Sequence, residues 1–220
     1  PSSAIKYTGN ADPQVANAES WNGSSWTEVG DINNARSSVS GAGDSNTSAI
    51  AMSGYNNPPG TLGFVETWNG SSWTETTDVN TARWGGGSVG VVPSALLVGG
   101  YTTTSVANTE SWNGSAWTEV ADLNTARYEG GAVGTTSDGL YFNGVSSSGK
   151  TESWNGSAWT ETNDMPATIS AIGGGGTGPA AISYGGTPTS YQTSSYEWNA
   201  GIPVGAWTTS TALNTARSEV

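Results

Sequence analysis

One phrase recurs through this sequence and constrains its fold more than any other feature. It reads W-N-G-S-S-W-T-E-V-G-D-I-N-N-A-R at its first occurrence and returns four more times with changes. The first tryptophans of the five copies are Trp21, Trp68, Trp112, Trp154 and Trp198, separated by 47, 44, 42 and 44 residues. This period is typical of a four-stranded β-propeller blade and is too long for ankyrin or leucine-rich repeats. The sequence therefore predicts five repeated units in one domain, residues 1–220.

Four strands can be read within one period, here the one that follows Arg83. Residues 84–92 are rich in glycine, which suits an innermost strand crowded around an axis. Residues 95–100 form a short apolar run ending in a glycine pair, as in a strand buried on both faces. Residues 108–112 alternate polar and apolar, and Asn113-Gly114 is expected to supply the two positive-φ positions of a tight hairpin into residues 116–120. Helical repeats are disfavoured, because no stretch has apolar residues at helical spacing over three turns.

The two ends of the chain predict how the ring closes. Residues 4–9 match the second strand of a blade, while the segment from Arg217 to Val220 matches the start of an innermost strand. Pairing of the C-terminal strand with the three N-terminal strands would complete one blade and remove its sheet edge. The predicted fold is all-β: a five-bladed β-propeller of four-stranded antiparallel blades, closed by pairing of the N- and C-terminal strands.

The order of these features resembles the kelch repeat of β-propellers. An arginine, a small-residue strand, an apolar strand ending in Gly-Gly, and a strand with a ring precede Trp-Thr-Glu and the next arginine. Gly99-Gly100 and Gly185-Gly186 match the paired glycines of that family. The positions that match its tryptophan are Trp26, Trp73, Trp117, Trp159 and Trp207. The chain departs from the family in three other glycine pairs, in having tryptophan for the usual blade tyrosine, and in having five blades rather than six or seven.

The amino-acid sequence of the repeat also resembles the low-lysine, near-identical kelch-type repeats of phage and environmental viral structural proteins. That resemblance implies an extracellular or virion-associated location. Ten of the eleven tryptophans belong to the motif, and their regular recurrence predicts that they form the core between blades.

Composition excludes several classes of function. The chain has no histidine and no cysteine, which removes disulfides, thiol nucleophiles, Ser-His-Asp triads and the common zinc, copper and haem sites. We therefore expect no cofactor and no metal. Eighteen acidic residues against six basic ones give a net charge of −12, which argues against nucleic acid as a partner. No window approaches the apolar length of a membrane helix, so no membrane insertion is expected.

All four arginines stand at the junction between one repeat and the next: Arg36, Arg83, Arg127 and Arg217. One interpretation is structural: each guanidinium binds loop carbonyls or the aspartate five residues before it, namely Asp31, Asp78 and Asp122. The other is that the arginines form a cationic ring at the mouth of the channel and bind an acidic ligand. The sequence leaves both open.

Strand direction predicts which face carries recognition. Because strands alternate, the start of the first strand and the end of the second lie on the same rim. The arginine loops and the segments after the glycine pairs should therefore share one face, with variable loops beside them. The aromatic residues expected there are Tyr55, Tyr101, Trp84 and Tyr128. Together with the four arginines they form the candidate ligand-binding set, and Trp84 suits stacking on a sugar ring or plugging the channel.

Three functions are consistent with these residues. The first is a non-catalytic module that presents one loop-rich face to a saccharide or a protein partner. The second is an acid-only polysaccharide hydrolase, which needs non-equivalent carboxylates converging at the channel, such as Asp12, Asp44, Asp138 or Glu129. The third is a purely structural spacer. Most carboxylates occupy equivalent positions around the ring, which favours a non-enzymatic function, and the oligomeric state is left open.

Overall fold

A computed structural model describes residues 3–9, 13–147, 149–187, 193–201 and 205–211. Within these ranges every regular element is a β-strand, so they contain no helix that could cross a membrane. The strands form five separate antiparallel sheets arranged in a ring, four with four strands and one with three. The predicted five-bladed β-propeller is confirmed.

The blades follow one another along the chain. Blade 1 contains β1 (Ala4–Tyr7), β2 (Ala18–Trp21) and β3 (Trp26–Val29). Blade 2 contains β4 (Ser40–Ser45), β5 (Ser48–Asn56), β6 (Gly60–Trp68) and β7 (Trp73–Thr76). Blade 3 contains β8 (Gly87–Val91), β9 (Ser94–Val98), β10 (Thr109–Trp112) and β11 (Trp117–Val120). Blade 4 contains β12 (Gly131–Gly134), β13 (Gly139–Phe142), β14 (Thr151–Trp154) and β15 (Trp159–Glu161). Blade 5 contains β16 (Gly173–Gly176), β17 (Ala180–Tyr184), β18 (Ser195–Asn199) and β19 (Ala206–Thr209).

Strand register confirms that blade 1 begins with its second strand. Ala4 of β1 lies opposite Trp21, as Ala49 of β5 lies opposite Trp68 in blade 2. The first described strand of blade 1 therefore corresponds to β5, β9, β13 and β17. The segment predicted to complete this blade, Arg217 to Val220, lies outside the described residues.

A tryptophan hairpin joins the third and fourth strands of every blade. Trp112 lies opposite Trp117, with ring centroids 5.3 Å apart, and the other four pairs lie at 5.3 to 5.6 Å. The prediction of a two-residue turn at Asn113-Gly114 is wrong, because four residues separate Trp112 from Trp117. Gly114 has positive φ (95°) but Asn113 does not; instead, the Asn113 Oδ1 accepts the N–H groups of Ser115 and Ala116. The asparagine stabilises the loop with its side chain rather than with its backbone conformation.

The motif tryptophans form the core between blades. Trp112 and Trp117 of blade 3 pack with Ile50 and Met52 from the second strand of blade 2. The same arrangement joins blade 2 to blade 1, blade 4 to blade 3, and blade 5 to blade 4. The predicted role is confirmed for the eight tryptophans of blades 2 to 5, which are buried. It is wrong for Trp26 in blade 1, which is 48% exposed because no second strand of a preceding blade covers it as in the other blades.

The glycine-rich strands lie innermost, as predicted. β4, β8, β12 and β16 pack side by side around a central cavity of about 430 Å³. Glycine is required where they crowd together: a Cβ on Gly87 would lie 2.4 Å from Cε2 of Tyr141 in the next blade. The small residues of the first strand therefore allow the blades to approach the axis.

Candidate functional site

Four aromatic side chains that the sequence assigned to ligand binding lie together on one rim. Trp84, Tyr101 and Tyr128 contact one another, with ring centroids 5.0 to 5.2 Å apart. Tyr55 approaches Trp84 edge-on, with the centroids 6.2 Å apart. All four residues are half-buried, so each keeps surface exposed to solvent. We call these four residues the aromatic patch.

Three consecutive blades contribute to the aromatic patch. Tyr55 ends the apolar part of β5 in blade 2, and Tyr101 follows β9 in blade 3. Trp84 and Tyr128 stand directly after an arginine, in the segments that lead into β8 and β12. Paired backbone hydrogen bonds of 3.1 and 2.9 Å join Trp84 to Tyr101. The arginine loops and the segments after the glycine pairs therefore share a rim, as predicted.

A series of backbone hydrogen bonds between blades fixes this rim. The Gly85 N–H donates to the Ser38 carbonyl (3.1 Å), the Glu129 N–H to the Gly85 carbonyl (2.6 Å), and the Ala171 N–H to the Glu129 carbonyl (2.9 Å). All four residues occupy the equivalent position in their blades and have φ between 49° and 65°. This left-handed conformation is unfavourable for serine, glutamate and alanine, so it persists because the surrounding rim holds it. The backbone beneath the aromatic patch is thus held from blade to blade.

The environment of Tyr128 makes its hydroxyl a weaker acid. Partial desolvation raises the pKa of Tyr128 above its usual value, and the neighbouring Glu129 and Tyr101 add to the increase. A tyrosine phenol is neutral at physiological pH and can both donate and accept hydrogen bonds. A neutral ring with a hydroxyl at its edge can stack on an apolar face and hydrogen-bond a hydroxyl group at the same time.

The three described arginines lie inside the blades rather than on the rim. Arg36, Arg83 and Arg127 are fully buried. Each Nη1 donates to a glutamate on the third strand of its own blade: Glu66 at 2.7 Å, Glu110 at 2.5 Å, and Glu152. A ligand on the rim would not reach these guanidinium groups. Arg217, the fourth arginine of the candidate set, lies outside the described residues.

The structural interpretation of the arginines is correct for the carbonyls and wrong for the aspartates. Each Nη1 also donates to a carbonyl two residues earlier, such as that of Thr81 for Arg83. Asp31, Asp78 and Asp122 are exposed and are not the ion-pair partners. The guanidinium turns into its own blade, the one whose first strand it precedes, where the third-strand glutamate lies, whereas the aspartate is on the loop outside.

The sequence shows Glu66, Glu110 and Glu152 as a repeated set but did not identify them as the partners of the arginines, although one signal does so. In blade 5 the arginine position is Ile169, and the glutamate position is Tyr196. Tyr196 packs against the buried cluster that contains Ile169. The blade that lacks the arginine also lacks the glutamate at the matching position, so an apolar pair replaces the ion pair as a unit.

The carboxylates proposed for the hydrolase do not converge in the part of the chain that the structure describes. Glu129 lies on the rim of the aromatic patch, at the entry to β12. Asp138 lies in the turn between β12 and β13, at the other end of that strand, and Asp44 lies near the end of β4 and lines the cavity. Asp12 lies outside the described residues. Among the described side chains, no group of three or more acidic residues is placed to hold a metal ion.

No family model matches the chain, and no curated protein matches it.

Proposed function

We propose that this propeller is a non-catalytic binding module that presents the aromatic patch to a saccharide. The observation that carries the proposal is the convergence of four half-buried rings, from three blades, on a rim held by hydrogen bonds between blades. Aromatic rings bind the C–H faces of sugars, and tyrosine hydroxyls bind their hydroxyl groups. Sites held on a rigid scaffold lose less free energy to ordering when a ligand binds.

The charge distribution favours a neutral glycan over an acidic one. The described arginines are buried in ion pairs, and Lys150 pairs with Glu161. The chain carries a net charge of −12, so its field repels uronic and sialic acids. A kelch-like propeller with these properties suits an extracellular or virion-associated surface, where neutral cell-surface polysaccharides are available as ligands.

We expect neutral polysaccharides to retard the protein in affinity electrophoresis, while matched polysaccharides rich in uronic acid do not. Trp84→Ala removes the central ring of the patch and should weaken binding at least tenfold, since stacked aromatic rings dominate such contacts. Val91→Ala is the control, because it changes an exposed side chain that lies outside the patch. Equal binding by wild type and Trp84→Ala would contradict this assignment of the site.

The same samples test the hydrolase. Reducing ends are measured after incubation with each polysaccharide. Release of product that is lost in Asp44→Asn or Glu129→Gln would replace the binding module with an enzyme. Absence of both binding and product would favour a protein partner or a structural spacer.

A further inference from the structure

Four tryptophan hairpins carry the same Asn-Gly dipeptide in their loops, and both residues are exposed in each. The dipeptides are Asn22-Gly23, Asn69-Gly70, Asn113-Gly114 and Asn155-Gly156. Each loop joins a third strand to a fourth, so strand alternation places it on the rim opposite the aromatic patch. Gly114 accordingly faces Pro93, in the turn between β8 and β9. Water therefore reaches a side-chain amide and the backbone nitrogen that follows it at four places on this rim.

Hydrogen bonds polarise the side-chain amide of each loop. The Asn113 Oδ1 accepts the N–H groups of Ser115 (3.0 Å) and Ala116 (2.9 Å) and the Ser115 hydroxyl (3.0 Å). The two backbone bonds recur at 2.9 to 3.0 Å in the other three loops, and the hydroxyl bond recurs at Asn22 and Asn155. Donors aimed at a carbonyl oxygen stabilise the negative charge that forms there when a nucleophile adds to the carbonyl carbon.

The nucleophile in reach of this carbon is the backbone nitrogen of the next residue, a glycine. Glycine has no Cβ to crowd its own nitrogen, and the four loop glycines have φ between 93° and 99°, which glycine adopts readily. No hydrogen bond between described residues uses the Gly114 N–H. Loss of the Gly114 N–H proton therefore breaks none of the bonds that hold the loop.

We propose that these four loops are modification sites, at which each asparagine is converted by water into an acidic residue through a cyclic succinimide. At Asn113, the Gly114 nitrogen gives its proton to water and forms a bond to Cγ. The bond from Cγ to Nδ2 breaks, and Nδ2 takes up a proton and leaves as ammonia. A water molecule then opens the ring at one of its two carbonyls and leaves aspartate or isoaspartate. The net reaction consumes one water and releases one ammonia.

A fifth Asn-Gly dipeptide shows that the fold, and not the dipeptide alone, selects these sites. Asn143 and Gly144 are buried at the end of β13. The Asn143 Nδ2 donates to the Ala167 carbonyl and its Oδ1 accepts the Ile169 N–H, both at 2.8 Å. The Gly144 N–H donates to the Ile169 carbonyl at 3.0 Å. Both reacting groups are occupied and shielded from water, so we expect Asn143 to stay intact in the folded protein.

The conversion changes the charge of one rim. Each event adds a negative charge to a chain whose net charge is already −12, at a position on the rim opposite the aromatic patch. Aspartate keeps an acceptor oxygen where Asn113 has one, so the loop survives. Isoaspartate inserts a methylene into the main chain and displaces that acceptor, so the hairpin should loosen. Because the patch lies on the other rim, this proposal is independent of the proposed function.

Peptide mapping after incubation in heavy-oxygen water at pH 8 tests the proposal, because only asparagines that react during the incubation gain the heavy oxygen. The tryptic peptide of residues 128–150 contains Asn143 as its sole asparagine. In the folded protein the four loop asparagines should be labelled about tenfold faster than Asn143, or more, since Asn143 reacts only after local opening. In urea, Asn143 should be labelled as fast as the loop asparagines.

Two internal comparisons test the chemistry of the loop. Asn199 is exposed in the hairpin of blade 5 and its Oδ1 accepts the Gly201 N–H at 2.7 Å, but Ala200 follows it, so it should react more slowly than Asn113. Ser115→Ala removes the hydroxyl donor at an exposed position and should slow Asn113 several-fold, while Asn155 in the same molecule keeps its rate.

Three results would overturn the proposal. Labelling of the loop asparagines no faster than that of Asn143 in the folded protein would show that the loops are not modification sites. Labelling of Asn143 that stays slow in urea would assign the difference to local sequence instead of the fold. An unchanged rate at Asn113 in Ser115→Ala would contradict activation of the amide by its hydrogen bonds.

Discussion

Arg83 and Glu110 both lose their hydration on burial, and hydrogen bonds from the surrounding polar groups must compensate for that loss. The Glu110 carboxylate accepts the backbone N–H groups of Asn80 and Thr81 in addition to the guanidinium. Arg83 donates to the carbonyls of Thr81 and Leu97. Glu110 therefore binds the segment that connects the previous blade to its own blade. Removing only one charge of such a buried, hydrogen-bonded pair is costly, because the other charge stays buried without its partner.

Removing one partner of this pair should destabilise the protein strongly. Glu110→Gln leaves the Arg83 charge buried without a counter-ion, so the free energy of unfolding should fall by about 3–5 kcal/mol. The double variant Arg83→Ile and Glu110→Tyr installs the pair that blade 5 uses and should recover most of that loss. Urea unfolding followed by circular dichroism measures both. Glu119→Gln is the control, since this exposed glutamate lies directly opposite Glu110. A double variant no more stable than Glu110→Gln would show that the apolar pair of blade 5 cannot replace the ion pair in blade 3.

The tryptophan hairpin is the element from which each blade interface is built. Its two rings lie on the face that packs against the preceding blade, and its fourth strand carries exposed threonine and glutamate, as at Thr118 and Glu119. Charged side chains on an outer strand discourage pairing with another sheet edge. The sequence predicted this element and its strands correctly but misjudged its turn. The Asn-Gly signal suits a two-residue turn, whereas the cross-strand pairing of the tryptophans in blades 1 to 4, such as Trp112 with Trp117, leaves four residues in the loop.

Asn113 should stabilise its hairpin through its side-chain oxygen. Asn113→Ala leaves the N–H groups of Ser115 and Ala116 without their acceptor and should lower stability by about 1 kcal/mol, as loss of a helix cap does. Asn113→Asp keeps an acceptor oxygen at the same place and should stay close to the wild type. Thermal unfolding of both variants checks this. Equal losses in the two would show that the amide group, rather than the acceptor oxygen, is what the loop requires.

Across the whole molecule, the features that follow from the local repeat could be predicted from the sequence, whereas contacts between distant residues could not. The repeat length, the strand pattern and strand alternation were sufficient for the five blades and for the rim that carries Trp84 and Tyr128. The ion pairs were not predictable in the same way, because 27 residues separate Arg83 from Glu110 and nothing local shows the arginine turning inward. Near-identical repeats also predict identical surroundings, and Trp26 departs from them because its environment depends on the neighbouring blade rather than on its own sequence.

Two tyrosines on second strands, the half-buried Tyr7 and the fully buried Tyr141, link the stability of the ring to alkaline pH. Burial raises the pKa of Tyr7, whose hydroxyl donates to the Ile50 carbonyl at 3.0 Å. Burial also raises the pKa of Tyr141 to about 12; Arg127 opposes the increase, while Glu129 and Glu152 add to it. The Tyr141 hydroxyl makes no hydrogen bond of normal geometry, although the Gly130 backbone lies near it. Its ring instead lies beneath the Arg127 guanidinium, 4.7 Å from the ring centroid.

Stability should therefore fall as the pH rises above 10. An unfolded tyrosine loses its proton near pH 10, while folded Tyr141 keeps its proton until about pH 12, so its contribution is complete below pH 10 and is lost as the pH rises through 12. The two-unit difference corresponds to roughly 3 kcal/mol. Tyr141→Phe removes the titrating group and the unpaired hydroxyl, so urea midpoints should be at least as high as wild type at pH 8 and decline less between pH 10 and 12. Tyr55→Phe, a change at a half-buried tyrosine, is the control and should decline as the wild type does. A decline in Tyr141→Phe as steep as the wild type's would assign the alkaline transition to other groups.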